Sequence, residues 1–299
     1  MVANPPKRMR TALFSLILFC ATASAQVVDF VKGQTARGNF EAAEQMVAQL
    51  KAKHGPVPEI IEGHSWLGRG ALAAKQLDKA EKYAAATYAL CEDALKSRKL
   101  DAEPRLPIAL GAAIEVQAQV LAQRGQRSEA VGYLNTQLNR YRTTSIRARI
   151  QKNIHLLSLE GKPAPPLEGA TKWQGKPTLL FFWAHWCADC KQQGPVIERL
   201  RQEFPSLQVL APTQTYGYVA GGEDAPRAAE LPYIKRIFDQ FYASLGPVPM
   251  PVNEENFRAY GASSTPTLVL VDRAGVVRMY HPGQMSYEEL KPIIARWVK

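Results

Sequence analysis

From residue 26 to residue 160 the apolar positions recur at helical spacing, and no stretch alternates for long enough to make a strand. Ala80, Ala84, Thr87, Cys91 and Leu95 fall on one helical face and make a buried stripe. Local signals place some of the breaks. Asn39 is placed to cap a helix over Glu41–Leu50, and Asp78 with Glu81 has capping-box spacing. Gly55-Pro56-Val57-Pro58 separates the first helical pair from the next, and Pro104 and Pro107 mark a later break. After residue 160 the pattern changes. Thr178 to Ala184 is a continuous apolar run of strand length, and Leu207–Ala211 reads as a second strand. Pro266–Asp272 is a third strand, and Val276–His281 returns antiparallel after the turn Asp272-Arg273-Ala274-Gly275. Helical patterns lie between and after these strands. Lys191–Phe204 carries Val196, Ile197, Leu200 and Phe204, and Ala228–Leu245 turns Ile234, Ile237, Phe238 and Phe241 inward. Asn253 caps a short helix to Tyr260, and Ser286 with Glu289 forms a capping box for a last helix ending near Val298.

The three-proline segment Gly161–Pro166 divides the two patterns, being extended and semi-rigid by composition. Residues 26–160 are therefore expected to form an all-α domain and residues 161–299 an α/β domain. Trp173-Gln174-Gly175-Lys176-Pro177 reads as the turn into the central strand. Within the helical half, three stretches echo one another. They are Gly38-Asn39-Phe40-Glu41-Ala42-Ala43, Lys75-Gln76-Leu77-Asp78-Lys79-Ala80 and Gly125-Gln126-Arg127-Ser128-Glu129-Ala130. Each resembles the turn and second-helix start of a tetratricopeptide repeat, in a degenerate array of unequal spacing.

The 299 residues suffice for about two domains, and 46% hydrophobic content excludes wholesale disorder. Residues 1–25 read as a signal peptide. Lys7, Arg8 and Arg10 start it, an apolar run extends from Thr11 to Cys20, and Ala23-Ser24-Ala25 fits a cleavage site. Its removal lowers the formal charge from +10 to +7 and leaves Cys91, Cys187 and Cys190. The expected location is therefore exported, periplasmic or extracytoplasmic. No later stretch is expected to span a bilayer, so stable membrane insertion after cleavage is not expected. The basic run Arg140, Arg142, Arg147, Arg149 and Lys152 reads as a solvated helix face, and nothing has the aromatic interleaving of a nucleic-acid groove. On the apolar stripe, Cys91 reads as a small buried residue rather than a third redox partner.

One close cysteine pair in an oxidising compartment suits catalysis better than bracing. The run Phe181-Phe182-Trp183-Ala184-His185-Trp186-Cys187-Ala188-Asp189-Cys190 delivers Cys-x-x-Cys from a strand to the start of a helix. There the unpaired N–H groups and the helix dipole favour a thiolate on the first cysteine. Trp186-Cys187-x-x-Cys190-Lys191 with Pro195 resembles the thioredoxin active site and its kinked helix. The preceding Phe-Trp-Ala-x-Trp and the lead-in Gly161-Lys162-Pro163-Ala164-Pro165 resemble extracytoplasmic thiol-disulfide oxidoreductases of the TlpA/ResA type. The resemblance covers roughly residues 161–299. It implies a thioredoxin fold with an insertion at about 212–251, a redox-active Cys187–Cys190 disulfide, and a cis bond at Thr265-Pro266-Thr267 facing the cysteines. It also gives Trp186, Asp189, Thr265 and Pro266 site-shaping roles.

Cys187 is the candidate attacker and Cys190 the resolving thiol. No cofactor and no metal are expected; the alternative for the pair is a static disulfide or half of a zinc site, with His185 and His281 as conceivable ligands. Many relatives have proline where this chain has Asp189. An acid beside Cys187 opposes thiolate formation, which points to a reductase acting on protein dithiol/disulfide clients, with a membrane electron donor as a conceivable partner. The resemblance leaves a proton acceptor for Cys190 unassigned: relatives carry acids where this chain has Phe181 and Gln193, and Asp189, Glu254, Glu255 or water remain. Two other readings stand beside this one. One is a helical-repeat protein-binding scaffold with a thioredoxin-like docking module; the other, ranked third, is a thiol peroxidase.

Overall fold

The computed structural model describes residues 27–169 and 175–298; the segment read as a signal peptide, part of the expected Trp173–Pro177 turn and the C-terminal residue lie outside the described residues. The chain divides into two compact units, one of residues up to Tyr133 with Thr143–Ile146, the other of Leu134–Arg142 with Arg147–Lys299.

The regular elements of the first unit are helices: α1 (27–36), α2 (Phe40–His54), α3 (Pro58–Ala73), α4 (Leu77–Ala94), α5 (Leu106–Gln123) and the start of α6 (Arg127–Arg140). The three echoing stretches fold alike. Gly38, Lys75 and Gly125 all have positive φ, at 81°, 57° and 84°. In each turn the next residue's N–H returns five residues: Asn39 to Gln34, Gln76 to Ala71 and Gln126 to Leu121, all at 2.9 Å. This is the 6→1 bond of a left-handed helix C-cap, and the following helix starts at once. Ala43, Ala80 and Ala130 are each fully buried, which lets the next helix approach closely. The structure defines these as equivalent helix–turn–helix joints and does not assign them to a named repeat.

Two capping expectations differ. Asn39 occupies the N-cap of α2 but its side chain makes no capping bond and reaches Gln34 instead. Asp78 lies inside α4, because the tight turn places Gln76 at the N-cap; Asp78 and Glu81 both pair with Arg124. Cys91 is buried with Ala80, Ala84 and Thr87, and desolvation pushes its thiol up to about 12. Contrary to expectation, one later helix, α5, is apolar enough to cross a membrane by length and composition (18 residues, mean hydropathy 1.2). It is the core helix of this unit: Ala109, Leu110, Ala112, Ile114 and Ala118 are buried, and it packs on α3 and α4.

The second unit is built on a mixed sheet of order β2-β1-β3-β4: β1 (Thr178–Phe182), β2 (Gln208–Leu210), β3 (Thr267–Val271) and β4 (Val277–Pro282). β1 runs parallel to β2 and antiparallel to β3, and β3 and β4 are antiparallel. Around it lie α7 (Arg147–Ser158), α8 (Ala188–Glu203), α9 (Arg227–Tyr242), α10 (Glu254–Tyr260) and α11 (Tyr287–Trp297). Every residue of β1 is buried, so both sheet faces are covered, as its unbroken apolar run requires. Leu179, Phe181 and Trp183 face one core with α8, α9 and α11. Leu180 and Phe182 face the other, with Phe257 and Tyr260 of α10.

The proline-rich segment joins the sheet edge: Gly161 N–H donates to Val277 O, Val277 N–H to Lys162 O and Ala164 N–H to Gly275 O. The compact unit extends upstream of Gly161, because α7 packs on α10 and β4. His155 of α7 bonds Ala259 O at 2.9 Å and meets Tyr280 edge-on. The β3–β4 turn is fixed by Asp272, whose Oδ1 accepts from Ala274 N–H (2.9 Å) and Val276 N–H (3.0 Å) and whose Oδ2 accepts from Arg278 (2.7 Å). Burial pushes its pKa up, but these bonds outweigh burial and hold it below the usual range. α11 starts with the expected capping box of Ser286 and Glu289.

Candidate active site

β1 ends where the chemistry begins. Trp183 N–H donates to Pro212 O, its indole Nε1 to Ala211 O (3.1 Å), and Thr213 Oγ1 to Trp183 O (2.9 Å). The exit of β1 is thus stitched to the exit of β2. Cys187 N–H closes a turn onto Ala184 O, and Cys187 then serves as N-cap of α8. Its Sγ accepts the Cys190 N–H at 3.0 Å, a sulfur doing the work of a capping oxygen. Cys187 and Cys190 are joined in a disulfide. Cys187 keeps 3% of its surface and Cys190 none, so the first cysteine is the more accessible by a narrow margin. Trp186 between strand and pair is 50% exposed and meets Tyr216 edge-on.

The Thr265–Pro266 bond is cis. Phe182 pairs with Thr267, so the antiparallel register puts Pro266 at the same sheet end as Trp183 and the cysteine turn. Pro266 O accepts from Gly283 N–H at 2.8 Å, and the Thr265 backbone has no backbone partner among the described residues. The Thr265 hydroxyl is buried and unpartnered there.

Asp189 is exposed in the first turn of α8, where solvent screens its charge. Its carbonyl, not its carboxylate, is engaged: Gln284 Nε2 donates to Asp189 O at 2.8 Å and to Gln192 Oε1 at 3.2 Å. Buried Gln193 accepts Met285 N–H through Oε1 (2.9 Å) and leaves its Nε2 unpartnered. The β4–α11 loop therefore grips the start of the cysteine helix, a contact spanning some ninety residues that no local pattern announces. Glu254 and Glu255 do not join the site. They sit exposed on α10, paired with Arg258, and α10 packs on the sheet face opposite the cysteines.

The histidines do not converge on the pair. His281 Nε2 bonds Gln284 O, and His185 Nε2 lies 3.2 Å from Glu230 Oε1. Among the described residues no group of three His, Cys, Asp or Glu side chains could hold a metal. Glu230 was not legible as a site residue. It comes from α9, is fully buried, and also accepts Tyr216 N–H (2.6 Å) and Gly217 N–H (2.9 Å). The available signal was an acid one turn before Ile234 on the inward face of α9. On that same helix Phe241 is exposed rather than inward, because Tyr242 takes the buried position and Lys191 stacks over Phe241 at 4.4 Å. Around His185 stand Tyr216, Tyr218 and Tyr233, each edge-on with ring centroids 5.2–5.5 Å away.

A four-stranded mixed sheet, a disulfide capping the helix after its central strand and a cis-proline at the same sheet end define a thioredoxin-like domain. Residues 169–296 match the family model described as a thioredoxin-like domain. The chain is 30% identical over 120 residues to the thioredoxin-like protein YneN of Bacillus subtilis, covering 40% of this chain and 63% of that one. It is 28% identical over 155 residues to the thiol:disulfide interchange protein DsbE of Xylella fastidiosa, covering 46% and 71%. It is 26% identical over 121 residues to the thiol-disulfide oxidoreductase ResA of Geobacillus thermodenitrificans, covering 40% and 63%. More than half of this chain lies outside each of these matches.

Proposed function

We propose that the protein is an exported thiol-disulfide oxidoreductase that reduces protein disulfides through Cys187 and Cys190. The observation that carries this is a Cys-x-x-Cys disulfide at a helix N-cap beside a cis-proline whose neighbour, Thr265, has no backbone partner among the described residues. An extended client segment can pair with that backbone as an added strand. The names of the relatives YneN, DsbE and ResA support the same class. Export rests on the leader read at residues 1–25.

The electron balance is that of thiol–disulfide exchange. With the pair reduced, the Cys187 thiolate attacks a client sulfur, forms a mixed disulfide and expels one client thiolate. Cys190 then attacks the Cys187 sulfur and expels the second. The client gains two electrons, and the Cys187–Cys190 bond re-forms until a donor dithiol reduces it. The helix N-terminus and the N–H of Cys190 stabilise the attacking thiolate, each charge-assisted contact being worth about 1 kcal/mol. The acid at 189 opposes this, although its exposure weakens the effect, and the reductive direction rests on that balance.

Insulin reduction with dithiothreitol as donor tests the reading. Wild type is expected to accelerate precipitation, Cys187→Ser to abolish the effect and Cys190→Ser to accumulate mixed disulfides. Full activity in Cys187→Ser refutes the assignment of the attacker. A potential near about −120 mV, the value of a strong oxidant, refutes the reductive direction. The scaffold reading draws on the three equivalent helical joints of the first unit; a wild-type protein inert toward insulin and toward trapping favours it.

A further inference from the structure

Beyond the Pro212 and Thr213 bonds to Trp183, the segment after β2 meets the active-site turn at a buried carboxylate. Glu230 is 0% exposed and His185 2%; Glu230 accepts the N–H groups of Tyr216 and Gly217, and its Oε1 lies 3.2 Å from His185 Nε2, within reach of a third donor. A carboxylate has four acceptor sites and no donor, so it can satisfy all three at once. His185 is two residues before Cys187, and Tyr216 carries the ring on which Trp186 rests. Both branches from Glu230 therefore end on the turn that presents the cysteine.

We propose that Glu230 is a positioning residue for disulfide exchange at Cys187, tying the insertion to the active-site turn through His185 on one side and the Tyr216–Gly217 backbone on the other. This rests on the reading that Cys187 and Cys190 exchange disulfides. A fully buried acid is expensive unless its lone pairs are filled. Here the filling groups come from the insertion loop and the cysteine turn together. A carboxylate accepting from His185 Nε2 requires the proton on Nε2, which fixes the tautomer and the plane of the ring inside its tyrosine cage. The titratable and charged groups facing the pair are Lys191 on α8, Tyr216 and Tyr218 on the loop, and Tyr233 on α9, with Arg236 stacked on Tyr233. Burial lowers the pKa of His185 while Glu230 raises it and Lys191 lowers it further, so the net direction is down.

The test compares wild type, Glu230→Gln and His185→Phe by insulin reduction and by nuclear magnetic resonance of 15N-labelled histidine. Glutamine presents an NH2 group toward a backbone N–H and cannot serve all three donors. The expected rate for Glu230→Gln is lower by about tenfold to a hundredfold with an unchanged circular dichroism spectrum. Its His185 ring is expected to titrate lower than in wild type. His185→Phe keeps a ring in the cage without the donor and is expected to slow exchange in the same direction. In wild type the His185 ring is expected in the Nε2–H form, titrating below a free imidazole. This last measurement stands even where Glu230→Gln fails to fold. An Nδ1–H ring in wild type, or wild-type rates in both variants, overturns the positioning role. A wild-type protein with no exchange activity overturns the proposed function instead, so the two failures are distinct.

Discussion

Lys75 holds φ at 57°, a left-handed conformation that its two counterparts, Gly38 and Gly125, adopt without a Cβ. A side chain there costs about 1 kcal/mol, because Cβ crowds the following carbonyl. Lys75→Gly is therefore expected to raise stability by about 0.5–1 kcal/mol, read as a higher urea midpoint at unchanged slope. An unchanged or lowered midpoint would show that the lysine makes good its strain elsewhere. The same scale explains the two cysteine environments. Cys91 is surrounded by the apolar stripe of α4 and is held protonated, while Cys187 receives an N–H at a helix start. Burial alone makes a thiol inert; access to helix-end donors makes it reactive.

Among the elements, α7 and α10 meet where no side chain separates them. Gly261 ends α10 in a left-handed cap at φ 59°, and a Cβ built there would lie 2.4 Å from Lys152 N and 2.7 Å from Gln151 C. These are backbone atoms of α7 and cannot swing aside. Gly261→Ala is expected to cost roughly 2–4 kcal/mol by combining the αL penalty with overpacking. Hydrogen exchange should report the loss first in α7, with faster exchange at Ile150–Ile154 than in β1. Uniform protection across both elements would contradict the close approach.

For the whole molecule, buried histidines set the acid limit. Burial takes His64 in the first unit from 6.5 down to about 4, aided by Lys51 and opposed by Glu44. Burial likewise lowers His155 and His185 in the second. A histidine whose folded pKa is depressed binds its proton more readily when unfolded. Its contribution is complete above pH 6.5 and is lost as pH falls toward the folded value. For His64 the loss is on the order of 3 kcal/mol. Thermal midpoints are expected to fall steadily from pH 7 to pH 4; a flat profile over that window would contradict the buried neutral rings. The depressed carboxylates, such as Asp272, act lower on the scale.

Legibility in the sequence followed the range of the interaction. The β1 run, the Ser286 capping box, the Asp272 turn and the cysteine pair rest on neighbours within a few residues, and composition announces them. Glu230 and His185 stand 45 residues apart, and the Gln284 and Met285 contacts with α8 stand more than ninety apart. Such pairings follow from how the sheet folds back and leave no periodic trace. Asp78 differs for a nearer reason: the tight turn moves the start of α4 to Gln76, so the acid lies inside the helix and on its outer side.

The docking of α7 has a bearing on how the thioredoxin-like domain can be isolated. A protein cut within the prolines at 161–166 would shed His155 and strip the cover from Tyr280 and from the Gly261 cap. The stump would expose a greasy scar on the side of the sheet away from the sulfurs. A cut that keeps this unit whole lies upstream of Leu134, so that Leu134–Arg142 and α7 both travel with the thioredoxin-like sheet.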